Sequence, residues 1–212
     1  MKKRIVLKLS YFLAIGIFVF VCLYILATVL YPGGSENNRN AQGFDWLHNY
    51  WCTMFDAYAI NGKLNRARPL AIASMVVLWL DFLVFFYLFS EVLARNKIWR
   101  MIIKISSIMA VLSASFLYTR LHDLVTSLAS FFGVFTILGI VICLYKSDLK
   151  LYKISGILCI CLLGINNYIY YSENFIAFLP LIQKITFLLV LLWMFGLNRV
   201  IFSKNKILIL QK

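Results

Sequence analysis

Leu9-Ser10-Tyr11-Phe12-Leu13-Ala14-Ile15-Gly16-Ile17-Phe18-Val19-Phe20-Val21-Cys22-Leu23-Tyr24-Ile25-Leu26-Ala27-Thr28-Val29-Leu30-Tyr31 runs without a single charge. A helix that crosses about 30 Å of hydrocarbon at about 1.5 Å per residue needs roughly 20 predominantly apolar residues, and this run supplies them. Stretches such as Phe18-Val19-Phe20-Val21 do not alternate apolar with polar, so barrel strands are excluded. Five further apolar runs follow, at about 69–90, 101–119, 124–145, 151–172 and 175–198. The expected fold is all-α: a polytopic membrane protein of six transmembrane helices, forming a single domain over 1–212, with a long and partly helical first outer loop at 32–68.

The composition agrees with this reading. A hydrophobic share of 63% with only 14% charged residues excludes a water-soluble globule. Met1-Lys2-Lys3-Arg4 ahead of an apolar run could open a signal peptide. The run is longer than a usual signal core and ends in Tyr31-Pro32-Gly33-Gly34 without a small-x-small cleavage site, so it reads as a retained first span.

Charge gives orientation. With six spans, one face carries Lys2, Lys3, Arg4, Lys8, Arg95, Lys97, Arg100, Lys104, Lys146, Lys150, Lys153, Arg199, Lys204, Lys206 and Lys212 against Glu91 and Asp148 alone. That face holds the whole formal net charge of +13, and the other face sums to zero. The positive-inside rule then places both termini in the cytoplasm. Cations spread over several short juxtamembrane segments fit anionic lipid, and membrane lipids rather than nucleic acid are the expected partners. Cys22, Cys143, Cys159 and Cys161 fall inside spans and only Cys52 lies outward, so packing is the expected role of the cysteines.

The outer loop opens with turn chemistry, Pro32 to Asn40, and then changes character. Leu47, Trp51, Met54, Phe55 and Tyr58 fall on one stripe at helical spacing, with Asp45, His48, Cys52 and Asp56 along the opposite edge. This predicts an amphipathic helix. Either it lies on the membrane surface with Trp46, Tyr50 and Trp51 as aromatic anchors, or its polar edge turns inward and roofs a site.

Other polar residues gather toward the same side. Asp123 is placed as an N-cap, and Asn166 with Tyr170 and Asn167 with Tyr171 are i, i+4 pairs near an outer helix end. Asparagine inside hydrocarbon needs a partner, so these residues either glue helices together or line a pocket. Lys184 and Asp81 are charges at membrane depth and form the expected intramembrane ion pair. Arg66, Arg68, Arg120, His122, Asn166, Asn167, Tyr170, Gln183 and Lys184 make up the candidate ligand-binding set, suited to an anionic headgroup or a small anion. His48, His122 and Asp123 are candidate ligands for a possible zinc, with Asp45 or Asp56 as candidate catalytic base.

Tyr31-Pro32-Gly33-Gly34-Ser35, Gly43-Phe44-Asp45-Trp46-Leu47-His48-Asn49-Tyr50-Trp51-Cys52, Asn61-Gly62 and Ala67-Arg68-Pro69 together resemble a set of six-span bacterial integral membrane proteins to which no activity is assigned. The likeness extends to Leu121-His122-Asp123 and to Leu179 through Lys184, and the layout is distantly similar to the Frag/DRAM/Sfk group. It implies architecture and no catalytic role. The expected function is that of a binding or membrane-organising protein whose outward polar chamber takes a lipid headgroup or small anionic ligand. A zinc-dependent hydrolase acting on outer-leaflet lipid is the first alternative, and a transporter using Asp81 and Lys184 is the second. Ligand identity and oligomeric state stay open.

Overall fold

The computed structural model describes residues 3–117, 119, 121–145 and 147–210, with the backbone alone at 122 and 208–210. Six α-helices run through the described residues: α1 (Lys3–Leu30), α2 (Arg68–Val92), α3 (Lys97–Ala114), α4 (His122–Leu144), α5 (Lys150–Ser172) and α6 (Leu179–Leu210). Five of them are long and apolar enough to cross a membrane. The exception is α3, which has 18 residues and carries Lys97, Arg100 and Lys104. It stops at Ala114, short of the expected 119, because the chain turns through Ser115, Phe116 and Leu117. At the other extreme, α6 runs 32 residues, about 48 Å, and continues well past the expected end at 198.

Local chemistry sets the helix starts. Pro69, in the first turn of α2, has no N–H to leave unpaired there. Asn96 caps α3, its side-chain oxygen accepting from the N–H groups of Ile98 at 2.8 Å and Trp99 at 3.3 Å. Asp123 is not the N-cap expected for α4. Leu121 holds that position, and Asp123 lies in the first turn, where a carboxylate still complements the helix dipole.

Each helix packs against its neighbours in chain order, and α6 returns to α1, so the six form a closed ring with α2 also reaching α6 across it. Polar side chains tie the seams. Asn198 Nδ2 donates to the Ser10 carbonyl at 2.9 Å between α6 and α1, and Trp193 Nε1 donates to the Tyr152 carbonyl at 2.8 Å between α6 and α5. Ser106 and Thr136 share a hydrogen bond of 2.8 Å between α3 and α4. The outer faces are apolar: Phe18 is 69% exposed and Val29 74%, with Ile15, Leu151 and Phe175 also exposed. Such a surface is solvated by hydrocarbon rather than water. These are the features of a multi-pass membrane bundle.

Between α1 and α2 the chain does not form the expected amphipathic helix. Only a 3-10 turn, Trp51–Phe55, interrupts a loop pinned by short bridges at Gly33 to Gln42 and Tyr58 to Leu64. Two buried asparagines explain why. Asn49 Nδ2 donates to the Gly34 carbonyl at 2.9 Å, and Asn65 Nδ2 donates to the carbonyls of Met54 and Asp56 at 3.0 and 2.9 Å. Backbone groups that a helix would have paired are satisfied by side chains instead. The predicted stripe breaks accordingly: Met54 and Phe55 are buried while Leu47 and Tyr58 lie exposed.

Where α1 crosses α2, Asp81 is fully buried, and neither of its carboxylate oxygens has a hydrogen-bond partner among the described residues. The carboxylate lies flat on Gly16, where a Cβ would collide with it. The expected Asp81–Lys184 pair is not formed. Depth accounts for this: α6 begins at Leu179, so Lys184 sits about 8 Å below the helix start, whereas Asp81 lies about 20 Å into α2. Gly16→Ala is expected to destabilise the protein by about 1–3 kcal/mol through overpacking, with much of the loss recovered in Gly16→Ala/Asp81→Ala. Thermal unfolding of the four proteins in detergent measures this; strictly additive effects would show that the two residues are not in contact.

Candidate functional site

A cavity of about 310 Å³ lies in the half of the ring nearest the long loop, bounded by α2, α3, α4, α5 and α6. The α2 and α6 side presents Trp79, Phe82, Phe86, Phe187 and Trp193, and the α3 and α4 side includes the small residues Ala110, Ala114, Ala129 and Gly133 beside Val111, Leu117, Thr126 and Ile137. A Cβ added at Gly133 would meet nothing within 4 Å. Trp51, Cys52 and Phe55 of the loop close the end. The volume stands at the lower end of the roughly 300–1,000 Å³ range of small-molecule pockets.

Trp51 is held as part of a stack. Its ring lies 3.9 Å from Tyr24 of α1 with an interplanar angle of 11°, and 4.6 Å from Phe187 of α6 with an angle of 3°. The reading of Trp51 as a surface anchor is therefore replaced by one in which the loop inserts this ring between two helices.

Of the candidate ligand-binding residues, Asn166, Asn167, Tyr170 and Gln183 line the cavity together. Asn166 Nδ2 donates to the Leu162 carbonyl and to Thr186 Oγ1, each at 2.8 Å, which leaves its Oδ1 without a partner. Gln183 Oε1 and the indole N–H groups of Trp51 and Trp79 are likewise buried and unpartnered among the described residues. A buried polar group left unpaired costs roughly 1–3 kcal/mol, and native interiors hold few of them. All four belong to residues that line the cavity, but the atoms themselves are enclosed by protein and do not open onto it. Water would be a poor general filler, because it needs two to four polar partners and most of this wall is apolar.

The cations lie elsewhere. Lys184 Nζ donates to the Asn49 carbonyl at 2.5 Å and to the Pro180 carbonyl at 3.0 Å, and sits 5.6 Å from the centre of the Phe44 ring. Arg68 Nε donates to the Phe55 carbonyl at 2.9 Å. Both hold the loop to the bundle. Arg66 is exposed, and Arg120 lies outside the described residues. Among the described residues no Lys, Arg, Asp or Glu lines the cavity. The expected cationic rim is thus replaced by neutral polar groups.

The candidate metal ligands are also separated in role. His48 Nδ1 is hydrogen-bonded to Asp45 Oδ2 at 2.8 Å, and Asp45 Oδ1 accepts from the N–H groups of Leu47 and His48, which closes a local turn. Burial acts to raise the Asp45 carboxyl, but those hydrogen bonds outweigh it and hold the group below the usual carboxylate range. Asp123 Oδ1 accepts from Tyr170 OH at 2.5 Å, Asp56 is exposed, and the His122 side chain lies outside the described residues. Among the described residues no group of three or more His, Cys, Asp and Glu comes together as a metal site.

Thr186, Trp79, Ser130 and Gly133 line the cavity and carry no conspicuous sequence signal. Gln183 and Phe187 share a helix face at i, i+4, as do Asn166 and Tyr170, and all four line the cavity. No family model matches the chain, and no curated protein or solved structure matches it either.

Burial pushes the Cys52 thiol up to about 11, with the nearby Asp56 carboxylate adding to it. In a protein whose other cysteines are alanine, Cys52 is expected to react with maleimide at pH 7.5 at least about tenfold more slowly than a cysteine placed at exposed Lys63. Its rate should climb steadily to about pH 11; a rate equal to that of the exposed control at neutral pH would contradict the roof geometry.

Proposed function

We propose that this protein is a six-span integral membrane protein of the bacterial cytoplasmic membrane that binds a small, uncharged amphipathic lipid in the cavity beneath its long loop. Both termini lie in the cytoplasm and the loop lies outside, and the role is one of binding or membrane organisation rather than catalysis. The observation that carries this reading is the cavity lining: a mostly apolar wall with a few neutral polar side chains, Asn166, Asn167, Tyr170, Gln183 and Thr186 among them, and, among the described residues, no charge. An anionic headgroup would leave water for a site with no described cation to receive it, which is unfavourable at low dielectric. A neutral head with a hydrocarbon body matches both parts of the wall.

Orientation rests on the confinement of the net charge of +13 to the ends opposite the loop. The same rule supports α3 as the sixth span. Its 18 residues extend about 27 Å, and its three cations sit in the half away from the loop, where Lys104 pairs with Glu91 at 2.5 Å and Arg100 donates to the Ala94 carbonyl. With that topology the cavity lies in the outer-leaflet half, within reach of lipid tails.

Decanol and decanoate share a chain and differ in the charge of the head, so native mass spectrometry of the detergent-purified protein with each separates the alternatives. Decanol is expected to bind at least tenfold more tightly than decanoate, and binding should disappear in Gly133→Phe, which fills the cavity from α4. Decanoate binding as tightly as decanol would sink the neutral-head reading, and retention of decanol by Gly133→Phe would remove the cavity as the site.

A further inference from the structure

We infer that Ser130 of α4 and Asn167 of α5 are the polar contact of this cavity, and that they select a head able to donate a hydrogen bond: the hydroxyl of a neutral lipid alcohol. The inference rests on the binding function proposed above and names the class of ligand and two residues that recognise it. Both residues line the cavity. Their level is set by contacts at either end of the α4–α5 seam. Near the loop end, Ser127 and Tyr171 share a hydrogen bond through their hydroxyls, and Tyr170 donates to Asp123. At the other end Gly156 of α5 lies against Val141 of α4, so the two helices run antiparallel. Ser130 follows Ser127 by three residues and Asn167 precedes Tyr171 by four, which is one turn further into the bundle on each helix. The pair therefore shares a level about 5 Å below the Ser127–Tyr171 bond.

The atoms left free on these two residues define the head. Asn167 Nδ2 donates to the Leu163 carbonyl at 2.8 Å, which fixes the amide and leaves Oδ1 without a hydrogen-bond partner among the described residues. Ser106, Ser127 and Ser155 return their hydroxyls to a carbonyl one turn back, the ordinary way for a helical serine to be paired. Ser130 Oγ makes no such bond and has no other partner among the described residues. Unlike the Asn166 and Gln183 oxygens, neither atom is sealed off by protein.

The lining thus places an oxygen that can only accept at the level of a hydroxyl that both donates and accepts. A ligand O–H donates to Asn167 Oδ1 while its oxygen accepts from Ser130 Oγ. An ether, ester or ketone oxygen can take the serine proton but brings none for the amide, and leaves that acceptor dry. Deeper in the bundle the wall includes Ile137, Leu163, Val190 and Met194, which suit a hydrocarbon chain. Water pairing both atoms would leave that apolar depth unfilled, whereas a hydroxyl at the end of a chain serves both parts.

Decanol and its isomer methyl nonyl ether differ in whether the oxygen carries a proton, and native mass spectrometry of the detergent-purified protein with each reads that difference. Wild type is expected to bind decanol at least about tenfold more tightly than the ether. Asn167→Leu should weaken decanol until the two lie within about twofold, and unchanged ether binding shows that the variant is folded. Asn167→Ala is read in the same way should the leucine variant lose both ligands. Ser130→Ala should weaken decanol and ether alike, by about threefold or more, because either oxygen accepts from the serine. Should decanol and the ether bind wild type alike, or should the Asn167 variants keep the full margin for decanol, the hydroxyl inference is overturned and the cavity function stands. Unchanged binding of both ligands by Ser130→Ala would remove Ser130 from the site. Failure of both ligands to bind wild type would overturn the inference and the binding function together.

Discussion

The insertion of Trp51 between Tyr24 and Phe187 is the contact on which the loop half of the molecule depends. Ordering a long irregular segment costs about 1–2 kcal/mol per residue in backbone entropy, and local hydrogen bonds alone do not offset that. The loop meets this demand by burying Trp51, Met54 and Phe55 in the same cluster as Phe20, Tyr24 and Leu78 of the helices. Asn49 and Asn65 make the burial tolerable, since they pair the carbonyls that would otherwise go dry into the interior. The roof of the cavity and the core of this half are therefore one structure.

The cavity follows from an uneven division of packing around the ring. α1 and α2 approach closely because Gly16 admits the Asp81 carboxylate, and this draws the polar face of α2 toward α1. The aromatic face of α2, with Trp79, Phe82 and Phe86, then turns inward toward α3 and α4. On those helices several lining positions are alanine or glycine, which leaves space between the walls. In the other half, Phe85, Phe89, Ile103, Ile140 and Leu197 pack in one buried cluster. One bundle thus holds a packed half and an open one.

Much of the architecture was legible. Uncharged runs such as 9–31 identify helices without ambiguity, because backbone groups in hydrocarbon have no other way to be paired. Asn166, Asn167, Tyr170 and Gln183 were found by the same reasoning, as polar side chains that lipid would not tolerate. The errors share a cause. The stripe of Leu47, Trp51, Met54, Phe55 and Tyr58 matched a helix, yet the long-range bonds of Asn49 and Asn65 override local periodicity, and nothing in the spacing announces a bond across 15 residues. Lys184 was assigned to Asp81 because α6 was started at Phe175, and a shift of one turn moved the lysine to a different depth. Small residues such as Ala110 and Gly133 gave no signal because a cavity is a property of facing walls, and a sequence shows one wall at a time.

The fate of the cations decides what kind of chemistry the site can host. Arg68 and Lys184 are close enough to the cavity in sequence to suggest an anion clamp, but each donates to carbonyls of the loop. Two of the three Lys184 N–H donors are committed to the Asn49 and Pro180 carbonyls, which holds the ammonium against the loop rather than on the cavity wall. A neutral ligand calls on neither cation. Occupying the cavity beneath Trp51 would stabilise the folded loop that closes it, so binding and loop order would reinforce one another.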